Sequence, residues 1–141
     1  MKIEYHYETA FELPDPGKHT DWIIDVVAEK GHRIEALNFI FCDDNYLLDI
    51  NRRFLDHDYL TDIITFPTEG ISDLGGDIFI SVERVRENAA LFEVNAEEEM
   101  RRVMIHGVLH LMGYSDASKE EKQAMRLEED AMMNLFHVKH R

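Results

Sequence analysis

Two histidines, His106 and His110, stand four residues apart in the run His106-Gly107-Val108-Leu109-His110-Leu111-Met112-Gly113-Tyr114-Ser115-Asp116. On a helix this spacing puts both imidazoles on one face, one turn above each other, within reach of a single ion. Gly113 offers the backbone freedom at positive φ that a helix-ending turn requires, and such a turn brings Asp116 back toward the pair. Two nitrogens and one carboxylate oxygen make a facial set of three with a position left open. That is the donor set of a catalytic zinc site; a structural one is closed by a fourth protein ligand. The plainer reading is two half-exposed histidines on an amphipathic helix, since His-x-x-x-His arises by chance. The glycine and the carboxylate, placed where a third ligand is needed, favour the metal site. The peptidase motif His-Glu-x-x-His carries its general base where this chain has Gly107, so peptide hydrolysis by that route is disfavoured.

The elements that must hold this constellation can be read outward from it. Asn95 followed by Glu98 opens a helix that Gly113 ends, and Met100, Val103, Met104, Val108, Leu109 and Leu111 make much of its circumference apolar. The histidines therefore sit near the surface at the end of a largely buried helix. Ser118 with Glu121 opens a last helix whose apolar positions are Met125, Leu127, Met132, Leu135 and Phe136. Its acids, Glu128-Glu129-Asp130, read as a solvated face, as do Glu97-Glu98-Glu99. His137 and His140, in the basic tail, read as solvated too.

Upstream, residues 2–9 alternate as a half-exposed strand does, and Pro14, Pro16 and Gly17 break the chain. Thr20 is expected to cap a first helix with Trp22, Ile23, Val26 and Val27 on its apolar stripe. Residues 36–42 suit a buried strand. Asp43 and Asp44 cap a second helix with Leu47, Leu48, Ile50 and Phe54 at helical spacing. Residues 61–67 and 75–81 read as two further strands, and Ser81 caps a third helix reaching about Val94. Strands separated by helices predict an α+β fold, residues 1–141 forming one domain with a mixed sheet of about four strands and about five helices.

Composition sets bounds. The chain has 141 residues, 15 Lys and Arg against 29 Asp and Glu, and a formal net charge of −14. Phosphate backbones are repelled by such a field at long range, so any nucleic-acid contact has to be local. Basic residues do cluster at Arg52-Arg53, at Arg84 with Arg86, and at Arg101-Arg102. The one cysteine, Cys42, lies in an apolar run and reads as a small buried hydrophobe. With no apolar leader and no span long enough for a bilayer, a cytoplasmic setting and no membrane association are expected.

The His106 stretch, together with Thr61-Asp62-x-x-Thr65-Phe66-Pro67 and Gly76-Asp77-Ile78, resembles the YbeY family of metal-dependent single-strand endoribonucleases. The resemblance runs from about residue 40 to residue 130. It implies a mixed four-stranded sheet with helices, and one zinc ion per chain on His106, His110 and Asp116. It also implies a role in ribosomal RNA processing, namely 16S rRNA 3′ end maturation and ribosome quality control. The partners implied are the small ribosomal subunit, with ribosomal proteins and a ribosome-linked GTPase. Two positions depart from the family pattern. Its third histidine is Asp116 here, an oxygen donor that zinc accepts and that also suits harder ions. An arginine thought to contact RNA is Leu55 here, and Arg53 or His57 are the nearby residues able to replace its charge. For the proton-accepting role, His57 and Asp77 are the candidates. Two rival functions stand beside this one: a ribosome-associated assembly factor whose zinc is structural, and a metallopeptidase, which Gly107 opposes.

Overall fold

The computed structural model describes residues 2–139. Four strands form one sheet: β1 (Lys2–Tyr7), β2 (Ile34–Cys42), β3 (Ile63–Pro67) and β4 (Leu74–Ser81), in the spatial order β1-β2-β4-β3. The first three in that order run parallel, and β3 joins β4 antiparallel at the edge, with Ile63 opposite Ile80 and Phe66 opposite Asp77. Five helices pack on it: α1 (Pro16–Glu29), α2 (Asp44–Leu55), α3 (Val82–Leu91), α4 (Ala96–Leu111) and α5 (Lys119–Lys139). The mixed sheet and the count of elements agree with the sequence reading.

Strand alternation divides the core. Phe39, Phe41, Ile78 and Ile80 point to one face and bury against Trp22, Ile23, Met104 and Val108 from α1 and α4. The residues between them point the other way, where Cys42, Ile64, Phe66 and Phe79 meet Leu47 and Ile50 of α2. Trp22 is buried and donates its indole N–H to the carbonyl of Met132 at 2.7 Å, tying α1 to α5. Cys42 is fully buried, and burial pushes its thiol up to about 12, so it serves as a small apolar residue rather than a nucleophile.

Helix starts follow local chemistry. Asp43, Ser81 and Asn95 each accept the backbone N–H three residues on, and Ser118 and Glu121 exchange the two bonds of a capping box. The first helix departs from expectation. It begins at Pro16 rather than after Thr20, because proline at the first helical position presets φ and loses no needed donor. Thr20 lies inside the helix, its hydroxyl 2.9 Å from that of Tyr5. His137 is exposed, as expected of it, and His140 lies outside the described residues.

Candidate metal centre

The end of α4 is built to aim side chains. Gly113 has φ +102°; its N–H donates to the carbonyl of His110, and the N–H of Tyr114 donates to that of Leu109. This is the paired closure of a Schellman turn, which satisfies the last carbonyls and sends the chain back past the helix. Asp116 is thereby returned to the histidines. Its Oδ2 lies 3.3 Å from His106 Nε2 and its Oδ1 3.4 Å from His110 Nε2, and all three donor atoms fall within 4.8 Å of one another.

A hydrogen bond behind the site decides what these atoms are. His106 Nδ1 lies 2.6 Å from Oε2 of Glu129 on α5. A carboxylate accepts only, so a ring proton sits on Nδ1, and in the neutral ring the Nε2 lone pair faces Asp116. A lone pair and a carboxylate oxygen at 3.3 Å are two acceptors in need of a cation or a proton between them. The donor set, two imidazoles and one carboxylate with an open side, fits a divalent metal ion. Burial disfavours a charged His106, yet Glu129, Asp116 and Asp62 outweigh it and raise the pKa above the usual histidine value. Glu129 is buried, with its second oxygen taken by Arg102 at 2.9 Å.

The helix reaches this position because Gly107 lets it come close. A Cβ there would stand 2.8 Å from Ile63 Cδ1 and 2.9 Å from Ile78 Cγ2, distances no side chain tolerates. The motif glycine thus presses α4 onto β3 and β4.

In front of the donors lies a cleft of about 600 Å³, walled by the loop that follows α2, by β3 and by the end of α4. His57 and Leu55 line it together with His106, His110 and Asp116. Asp77 does not: Ile78 faces α4, so its neighbour Asp77 points to the other side of the sheet, where it accepts from the Asn38 amide at 3.1 Å. Arg53 does not either. Its guanidinium pairs with Asp49 at 3.2 Å on the outer side of α2, facing a different hollow.

The cleft contains groups that sequence reasoning left out. Asp62, quoted there only as part of a motif, lines the cleft and an adjoining hollow that also holds His106 and Asp116. Burial raises its pKa, with the nearby His106 acting in the opposite sense, and Oδ2 accepts from Asn88. Glu129 was hidden in an acidic run, although its spacing from Met125 and Met132 puts it on the buried stripe of α5.

A family model described as endoribonuclease YbeY matches residues 6–137. A protein of Flavobacterium psychrophilum named endoribonuclease YbeY is 48% identical over 137 residues, covering 97% of this chain and 98% of that one. Its namesake in Flavobacterium johnsoniae is 46% identical, covering 96% and 98%. A solution structure of a Thermotoga maritima protein shares the fold with a TM-score of 0.65 at 24% identity, covering 99% of this chain and 94% of that one.

Proposed function

Because this chain belongs to the YbeY endoribonuclease family, we propose that it cuts single-stranded RNA at phosphodiester bonds with an ion held by His106, His110 and Asp116. The observation that carries the reading is the pair of Nε2 atoms turned on the two oxygens of Asp116, with Glu129 holding the tautomer from behind. Zinc is an ion that two imidazoles and a carboxylate suit. When bound, such an ion supplies Lewis-acid stabilisation of phosphoryl charge and lowers the pKa of water.

The remaining work falls to the protein. Glu129 orients His106 and increases its basicity. Asp62 is the acid–base group of the cleft: burial raises its pKa and so makes its carboxylate a stronger base than an exposed one. Its position beside His106 and Asp116 suits it to accept the proton of an attacking hydroxyl, a role for which Asp77 is on the wrong face. A metallopeptidase is opposed by Gly107, which has neither a base nor room for one.

Within this reading the RNA is ribosomal, the 3′ end of 16S rRNA on the small subunit, and the setting is the cytoplasm. The acidic surface suits contacts with basic ribosomal proteins, with a ribosome-linked GTPase as a further partner. Among the described residues no helix is long and apolar enough to cross a membrane. The test is metal content and cleavage of single-stranded RNA by the purified protein. About one zinc per chain is expected, with activity lost on chelation, restored by zinc, and absent in His110→Ala. A parent with no RNA cleavage under any divalent ion would leave the assembly-factor reading in its place.

A further inference from the structure

The loop after α2 carries two aromatic rings on a fixed backbone. Asp56 ends the helix at φ +53°, and the N–H groups of Asp56 and His57 both donate to the carbonyl of Asn51. The Asn51 side chain, 1% exposed, donates in turn to the carbonyl of Tyr59 at 3.0 Å. One buried residue therefore pins the loop at both ends. On that loop the rings of His57 and Tyr59 stack, with centroids 5.1 Å apart and planes 22° from parallel, and the phenol oxygen stands 3.1 Å from His57 Nδ1. Tyr59 is nonetheless 56% exposed, and both rings line the same cleft as His106, His110 and Asp116.

The charges around the loop do not favour a phosphate clamp on this wall. Arg52 pairs with Asp58 and Arg53 with Asp49, and among the described residues no lysine or arginine lines the cleft. At the end of α2, Leu55 offers the cleft only an apolar surface. A rigid, open aromatic ring on a wall without cations can grip a nucleic acid through the face of a base.

We propose that Tyr59, backed by His57, is a stacking platform for an unpaired base of the RNA, and that stacking holds the strand on this side of the cleft in place of a phosphate–arginine contact. The proposal rests on the reading of the chain as a nuclease of single-stranded RNA. It adds a reason for that strandedness: in a duplex the base faces are already covered by their neighbours, so only an unpaired base can lie on the ring. Because every base has such a face, the platform selects single strands rather than a sequence.

The probe is a short single-stranded RNA with 2-aminopurine at one position, whose fluorescence is quenched on stacking. Binding is followed in stopped flow ahead of cleavage, with KM and kcat measured separately on the unlabelled strand. The metal-loaded parent should quench the probe. Tyr59→Ala should lose the quenching, bind about tenfold or more weakly, and raise KM with little change in kcat. Tyr59→Phe and Tyr59→Trp should keep both binding and quenching, which a purely structural role for the phenol hydroxyl would not allow. The loss in Tyr59→Ala should be the same between about 50 and 200 mM salt, as a contact that displaces no counterions requires. An abasic site at the stacked position should weaken the parent and cost Tyr59→Ala nothing more. If Tyr59→Ala binds and quenches like a parent that cuts RNA, the platform is wrong and the nuclease reading stands. A parent that neither binds nor cuts the strand overturns both.

Discussion

His106 and Glu129 lie 23 residues apart in sequence and 2.6 Å apart in space, Nδ1 to Oε2, so a carboxylate on the last helix sets the donor atom at the centre of the site. Removing the charge of such a partner weakens metal binding by about 10–100-fold. Glu129→Gln is therefore expected to lower zinc affinity by that factor while the helices remain folded, read by competition with a chromophoric chelator. Zinc affinity equal to that of the parent would reduce Glu129 to a structural partner of Arg102.

Asp116 is expected to be the replaceable ligand. Asp116→His keeps a donor at the end of the Schellman turn and should retain about one ion per chain, whereas Asp116→Ala should lose most of it. Metal analysis of the two proteins, purified identically, decides the matter. Equal retention by Asp116→Ala would remove the turn from the site.

The two residues named as possible replacements for the charge missing at Leu55 should behave differently. Arg53 is paired with Asp49 outside the cleft, so Arg53→Ala should leave RNA affinity and its salt slope unchanged. His57 lines the cleft beneath Tyr59, and His57→Ala should weaken binding. Filter binding across a salt series separates them. A flatter slope in Arg53→Ala would restore a phosphate contact to that residue.

Acid sensitivity should originate in part far from the site. His19 is buried against the rings of Trp22 and Phe136 and donates its Nδ1 proton to the carbonyl of Asp15. Burial lowers its pKa, so the unfolded chain binds the proton first. Its stabilising contribution is intact above the ordinary histidine value of about 6.5 and is lost as pH falls from there through the depressed folded value. Urea unfolding of the parent and His19→Gln at a series of pH values should show the shallower acid loss in the variant. Parallel curves would assign the acid limb to other groups.

What the sequence revealed depended on how local the cause was. The ligand helix, its Asn95 cap, the Gly113 turn and the approach of Asp116 all follow from spacings of a few residues. Glu129 did not show, because it differs from its neighbours in Glu128-Glu129-Asp130 only in being buried against α4. Its place on the Met125–Met132 stripe was the available signal. The misplacement of Arg53 has a similar cause. Two adjacent arginines on a helix point about 100° apart, and sequence proximity to Leu55 does not put either of them in the cleft. Asp77 illustrates the same limit in a strand, where one step along the chain changes the face. The start of α1 was misread because Pro16 and Gly17 look like a break until proline is placed at the first helical position.

The tight seat of Gly107 between Ile63 and Ile78 also bears on how this site can change over evolutionary time. A glutamate at that position would convert His-Gly-x-x-His into the peptidase pattern by a change at one residue, and the chemistry it would bring is powerful. Here that glutamate would first require the Ile63 and Ile78 side chains to give way beneath it. The two patterns are thus neighbours in spelling and strangers in packing. On this fold the step from one pattern to the other asks for repacking at Ile63 and Ile78 as well as a change at Gly107, a demand that falls on the sheet rather than on the metal ligands.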